Sequence, residues 1–197
     1  MKLAFRDLRA DEIDCRIAMV KQSGLSLLLY KDARCDMNIL DETVGPFNWQ
    51  RTHTRDNANC IVSIYDEDKK QWVSKEDTGT ESNTEKEKGL ASDSFKRACF
   101  NWGIGRELYT APFIWIDASC CNLTNGKCYD KFAVADIKIE NKKIVYLKIV
   151  NVTKKTVVFE TGKKITGNAQ ATPKAQPKQN VNTTVADANG DLPFFIN

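Results

Sequence analysis

Two adjacent cations, Lys96 and Arg97, stand in the segment EKEKGLASDSFKRACFNWGIGRELY at residues 85–109. Because neighbouring residues on a helix point about 100° apart, the two side chains can lie on either side of the phosphate backbone of one bound nucleic-acid strand. Cations placed in this way neutralise phosphates and give a nucleic-acid affinity that ignores base sequence and falls with salt. Asp93, one helical turn earlier, is a candidate ion-pair partner for either cation. A solvated helix face is the alternative interpretation of the same pair.

The glycine-containing stretch GIGR at residues 103–106 does not complete a nucleotide-binding motif. It lacks the third glycine of GxGxxG, and it follows a helical pattern where that motif requires a strand. The phosphate-binding pattern GxxxxGK[ST] is also missing from the sequence. We therefore expect no cofactor and no ATP hydrolysis.

An acidic cluster at Asp66, Glu67 and Asp68 is the candidate for metal-dependent nuclease chemistry. The cluster falls in a predicted hairpin turn, where charged residues are expected without any catalytic role. His53 is the single histidine, and no serine or cysteine pairs with it at a recognisable spacing. We therefore predict that the protein is not an enzyme, with a metal-dependent nuclease as the alternative from a different class.

Seven cysteines lie mostly within apolar patterns, where free thiols behave as small hydrophobic side chains. Their use predicts a reducing compartment. Cys120, Cys121 and Cys128 lack the CxxC pair or nearby histidine that a structural zinc site needs.

The net charge is only +3, no apolar run reaches the roughly 20 residues that span a bilayer, and no signal peptide is evident. The sequence thus predicts a soluble, cytoplasmic protein.

The first half of the chain predicts an α+β fold with an antiparallel sheet. Residues 9–23 have apolar positions at helical spacing, and residues 25–32 form a short apolar run typical of a buried strand. A second helix is predicted over residues 33–45. Strands follow at residues 48–55 and as a hairpin over residues 59–79, which turns at DEDKKQ.

A long amphipathic helix comes next. Thr84 and Glu87 have the spacing of a capping box, and Gly103 is a typical left-handed stop. Residues 108–117 read as another strand, and residues 132–160 as a three-stranded meander. The predicted organisation is an α+β core at residues 1–116, a β-meander extension at 117–162 and a disordered tail at 163–197 that ends in the apolar tip LPFFIN.

Three ordered motifs resemble the Rad fifty-two superfamily of single-strand annealing proteins, in particular its Sak-type phage members. They are LDETVGPFNW at residues 40–49, the hairpin CIVSIYDEDKKQWVSKEDTGTES at 60–82, and the segment at 85–109. The resemblance covers about residues 10–115. It implies a β-β-β-α core, in which an antiparallel sheet packs on a long helix. It also implies assembly into rings or helical filaments around a positive groove for single-stranded DNA.

The resemblance also implies site residues. Lys96 and Arg97 match the adjacent Lys-Arg pair of the family's groove, and Arg16 matches an arginine ahead of a glycine-rich turn. Tyr30 has the spacing of the groove tyrosine, and Lys88 matches a further basic helix position. This chain departs from the family at Phe100, where eukaryotic members carry another arginine. The replacement cations that we expect are Arg55 and Arg106.

These observations lead to one functional expectation. The chain is predicted to be an ATP-independent protein that binds single-stranded DNA and anneals it to a complementary strand in recombination and repair. A non-annealing single-strand binder or recombination mediator is the runner-up. The expected partners are single-stranded DNA, the annealed duplex intermediate, further copies of the chain, and a single-strand-binding protein or exonuclease. Tyr30 and Tyr109 are the candidates for base stacking, since each lies beside charge at the end of an element.

Overall fold

The structure is a computed structural model that describes residues 3–80 and 86–162, except for the side chains of residues 86–88. Over these residues the fold is mixed α+β with antiparallel pairing in its sheets, as the sequence predicts. The helices are α1 (Ala33–Val44) and α2 (Lys86–Trp102). The strands are β1 (Asp14–Lys21), β2 (Gly24–Tyr30), β3 (Trp49–Thr54), β4 (Asn59–Asp66), β5 (Gln71–Thr78), β6 (Ile114–Asp117), β7 (Leu123–Thr124), β8 (Lys127–Cys128), β9 (Phe132–Glu140), β10 (Lys143–Asn151) and β11 (Thr156–Gly162).

The larger sheet has six strands in the order β11-β10-β9-β1-β2-β6. Its last three strands in sequence, β9 to β11, form the predicted meander. Asp14 of β1 pairs with Ala133 of β9, which joins the meander to the hairpin of β1 and β2. The N-terminal and C-terminal parts of the described chain therefore share one sheet.

The helix predicted over residues 9–23 is wrong. The chain forms a short 3-10 helix at Ala10–Glu12 and then strand β1, which pairs in antiparallel register with β2. Strand β2 buries Leu25 and Leu27 in the core and needs a hydrogen-bonding partner on this side. Gly24, interpreted as a helix stop, instead allows the carbonyl of Ile116 to approach its α-carbon, where a side chain would overlap that oxygen.

The smaller sheet, β3-β4-β5, precedes α2 in the chain and contacts it. The indole Nε1 of Trp102 donates to the carbonyl of Val62 at 3.0 Å. Lys75 donates to the carbonyl of Asn101 at 2.8 Å and lies 4.6 Å from the centre of the Trp102 ring. Phe95, Ala98 and Cys99 are fully buried in the core, which orients the helix and leaves Lys96 and Arg97 outside it.

The ends of the helices agree with the local sequence in part. Asp32 begins α1, since its carboxylate accepts the amides of Arg34 and Cys35 at 2.8 and 3.0 Å. Gly103 follows α2 with a φ of +103°, the left-handed stop that was predicted. The capping box at Thr84, like the tail at 163–197, lies outside the described residues.

The run predicted as one strand at residues 108–117 is divided. Residues Arg106–Thr110 form a 3-10 helix, and only Ile114–Asp117 pair as a strand, with β2. Neither α-helix, as far as the structure describes them, is long and apolar enough to cross a bilayer.

Candidate nucleic-acid interface

A pocket of about 320 Å³ lies between strand β2 and helix α2, and we call it the α2–β2 groove. It combines cationic, aromatic and aliphatic side chains from elements that are far apart in the sequence. The residues that line it are Leu28, Leu29, Tyr30, Lys31, Asp93, Lys96, Arg97, Phe100, Ile104, Gly105, Leu108 and Tyr109. Three of the residues predicted from the sequence, Tyr30, Lys96 and Arg97, are therefore brought together.

Helix α2 contributes the two adjacent cations. Arg97 is 42% exposed, and its Nε donates to Asp77 Oδ1 at 3.2 Å. This carboxylate belongs to β5, so the ion pair connects the guanidinium to the smaller sheet. Asp93, the partner suggested by the sequence, accepts from the amide of Thr80 at 2.9 Å. A half-exposed cation with one carboxylate contact retains donors that can reach a phosphate.

Strand β2 contributes Tyr30 and Leu28, which lie on the same face of the sheet because their positions differ by two. Arg16 and Asp14 stand opposite them on β1, paired with Leu28 and Tyr30 respectively. Partial burial and the charge of Asp14 raise the pKa of Tyr30, whereas Arg16 opposes this shift. Arg16 is thus an exposed cation close to Tyr30, although it does not line the groove itself.

A buried ion pair lies beneath the groove. Lys31 donates to both carboxylate oxygens of Asp36, and only 6% and 0% of these two residues are exposed. Gly105 has a φ of +71° and lies against the aliphatic part of Lys31. Burial raises the pKa of Asp36 to about 6, against the opposing effect of the charges on Lys31 and Lys96.

One end of the groove is aromatic. The Phe100 and Tyr109 rings lie 4.5 Å apart between centroids and are tilted by 50°. Arg106 donates to the carbonyls of Phe100 and Asn101, each at 2.9 Å, and its guanidinium lies 5.5 Å from the centre of the Phe100 ring. The cation predicted at Arg106 therefore caps the end of α2 and supports a groove residue.

The remaining two predicted site residues are Arg55 and Lys88. Arg55 is exposed in the turn between β3 and β4 and does not line the groove. Lys88 lies within α2, and its side chain is outside the described residues. Lys31 is a charged residue of the groove that the sequence interpretation missed. In the sequence, Lys31 stands out only as a charged residue directly after the apolar run of β2. A charged residue is also common at the end of any strand, so it does not indicate a groove.

The acidic cluster of the nuclease alternative forms the turn between β4 and β5. Asp66 Oδ1 accepts the amides of Asp68 and Lys69, both at 3.1 Å, and Glu67 accepts from Lys70 at 2.9 Å. Among the described residues, no group of three or more histidine, cysteine, aspartate or glutamate side chains is arranged to hold a metal ion. The local hydrogen bonds of Asp66 account for the cluster as a charged turn.

The raised pKa of Asp36 predicts a pH dependence of DNA affinity. Above a pH of about 6 the buried carboxylate is charged and opposes the groove cations; below that pH it is neutral. We therefore expect affinity to rise about threefold as the pH falls from about 7.5 to about 5.5, equivalent to roughly 0.7 kcal/mol of screened interaction. Fluorescence anisotropy of a labelled oligothymidylate measures this.

The control variants separate Asp36 from His53, whose Nδ1 lies 3.4 Å from Ser94 Oγ of α2. Asp36→Asn should bind with a flat pH profile. His53, whose pKa is lowered by burial and by Arg51, is removed in His53→Gln, which should keep the wild-type profile. An unchanged profile in Asp36→Asn would contradict the assignment to this carboxylate.

Comparisons of the chain with known proteins leave the groove as the basis for any functional conclusion. No protein-family model, no curated protein sequence and no solved structure matches this chain.

Proposed function

We propose that this protein binds single-stranded DNA in the α2–β2 groove and anneals complementary strands without ATP or a metal ion. One observation carries the proposal. Lys96 and Arg97 of α2 lie 66 and 67 residues after Tyr30 of β2 in the chain, yet all three line one groove together with Tyr109. Cations beside aromatic rings are the combination that holds a single strand by its phosphates and by its bases.

The chemistry of annealing fits such a groove. Two strands repel each other electrostatically, so a protein that brings them together must neutralise phosphates. It has no need to read base edges, because contacts to the backbone are independent of sequence. With a net charge of only +3 per chain, a row of aligned copies would provide the continuous positive surface that a long strand requires. The proposal therefore includes assembly into a ring or filament.

The order of elements supports the same proposal. Strands β3, β4 and β5 are followed in the chain by α2, which contacts β4 and β5. This is the succession expected of a β-β-β-α annealing core. The helix that contacts the sheet is also the one that contributes Lys96 and Arg97 to the groove.

The test is strand annealing by the wild-type protein in a chelator, without ATP. Two complementary labelled oligonucleotides should anneal several times faster with the protein than without it, and the rate should fall as salt rises. Binding without acceleration would make the protein a single-strand binder or recombination mediator. Loss of intact DNA on addition of a divalent metal would favour a nuclease. Absence of DNA binding would contradict the proposal.

A further inference from the structure

Tyr109 is an exposed aromatic residue at the end of the α2–β2 groove. The residue belongs to the 3-10 helix Arg106–Thr110. It lines the groove and is 72% exposed to solvent. Its ring lies 4.5 Å from the Phe100 ring between centroids and is tilted by 50° from it, so the two rings are not stacked face to face. A tyrosine of this kind presents an apolar surface that remains in contact with water.

The support of Tyr109 is fixed by hydrogen bonds on both sides. Thr110 donates to the carbonyl of Glu107 at 2.7 Å and accepts the amide of Ile144 at 2.9 Å, which ties the 3-10 helix to β10. Glu107 is fully buried and accepts the amide of Leu8 at 2.7 Å. A ring on a rigid support loses little conformational entropy when a ligand stacks on it.

The opposite side of the groove is also apolar. Leu28 and Tyr30 of β2 are 49% and 39% exposed, and both line the groove. The pocket volume of about 320 Å³ is at the lower end of the range, roughly 300–1,000 Å³, for pockets that hold small organic ligands. Lys96 and Arg97 lie along the same pocket, where they can reach an anionic group attached to such a ligand.

We propose that the groove holds one unpaired nucleobase stacked on Tyr109, with the adjoining phosphates on Lys96 and Arg97. This site rests on the proposed function, since it assumes that the groove binds a nucleic acid strand. A nucleotide consists of a flat base joined through a sugar to a phosphate. The base matches the aromatic end of the groove at Tyr109, and the phosphate matches the two cations beside it. A base in a duplex would have to leave its stack to enter the groove, so the site selects single strands over duplexes.

The same site has a consequence for annealing. A base stacked on Tyr109 is not available for pairing, so it leaves the groove before the new duplex is complete. Removal of the ring should therefore weaken binding of the single strand without slowing annealing at saturating protein. The phosphate contacts remain, so the salt dependence of binding is preserved.

The experiment compares Tyr109→Leu, Tyr109→Phe and the control Phe113→Leu. Phe113 is matched in exposure, at 73%, but does not line the groove. At about 0.1 M salt, Tyr109→Leu should bind oligothymidylate about tenfold more weakly, with an unchanged slope of affinity against salt. Tyr109→Phe and Phe113→Leu should each stay within about twofold of the wild type, because both keep the ring on Tyr109's support.

A second ligand separates stacking from any change in the backbone contacts. An oligomer of abasic deoxyribose phosphates carries the charges of oligothymidylate without its bases. Wild type and Tyr109→Leu should bind this oligomer with affinities within about twofold of each other, because the oligomer has no base that could stack on Tyr109. A Tyr109→Leu loss that is equal on both oligomers, or no loss on either, would overturn the stacking site.

The outcomes distinguish the stacking site from the proposed function on which it rests. Salt-dependent binding of oligothymidylate that is equally tight in the wild type and Tyr109→Leu, with annealing intact, would overturn the stacking site alone. A folded wild-type protein that binds neither oligomer would overturn both. Far-ultraviolet circular dichroism checks that each variant is folded, and substitution of so exposed a side chain has little effect on the core.

Discussion

Replacement of both Lys96 and Arg97 by alanine should abolish annealing and lower the affinity for single-stranded DNA about 25-fold at about 0.1 M salt. Each phosphate contact on a single strand contributes about 0.7 to the slope of log affinity against log salt, so two contacts contribute about 1.4. The slope of the double variant should be shallower by that amount. The fold should persist, because Arg97 loses only a half-exposed ion pair to Asp77, worth about 0–1 kcal/mol.

The matched control removes the same net charge from another place. Lys69 and Lys70 are exposed in the turn between β4 and β5 and do not line the groove. The variant Lys69→Ala/Lys70→Ala should keep the wild-type slope and annealing rate. Equal losses in the two double variants would mean that net charge alone drives binding. Annealing that survives without Lys96 and Arg97 would place the DNA outside this groove.

Local signals predicted much of the fold. The strands of the smaller sheet and the meander follow from alternating apolar residues and turn residues, and helix α1 from the pattern over residues 33–45. The sequence pattern instead assigns Asp32, whose carboxylate caps α1, to the end of the preceding strand. The error at residues 9–23 has a non-local cause. Ile13, Ile17 and Val20 have helical spacing, but the exposed edge of β2 is paired only if this segment is extended. Pairing between strands outweighs a weak helical periodicity. Such pairing involves residues of another segment, so it cannot be predicted from the periodicity of one segment alone.

The site was predictable to a similar extent. The adjacent pair Lys96 and Arg97 is visible in the sequence, and the apolar stripe of α2 places Lys96 outside the core and Arg97 at the margin of the stripe. Tyr109 was a stacking candidate because it stands beside charge at the end of an element. The participation of Lys31 could not be predicted, since it depends on a carboxylate from α1 and on the backbone of Gly105. Contacts between three separate elements leave no local pattern.

Gly105→Ala is expected to destabilise the protein by about 2–5 kcal/mol. A left-handed backbone costs an alanine about 1–2 kcal/mol, and forcing an extra carbon into a packed site costs about 1–3 kcal/mol more. The added Cβ would overlap Lys31 Cε and lie 3.1 Å from Lys31 Cδ. Lys31 is buried and paired with Asp36, so its side chain cannot move aside freely. Urea denaturation monitored by tryptophan fluorescence measures the loss.

Gly103→Ala separates the two contributions. Gly103 also has a positive φ, of +103°, but a Cβ there would meet no heavy atom within 4 Å. This variant should therefore lose only the backbone part, about 1–2 kcal/mol. The larger loss in Gly105→Ala would come with weaker DNA binding, because displacement of Lys31 changes the pocket between Tyr30 and Phe100. Equal losses in the two variants would show that Lys31 yields easily and that the buried ion pair does not hold the groove in shape.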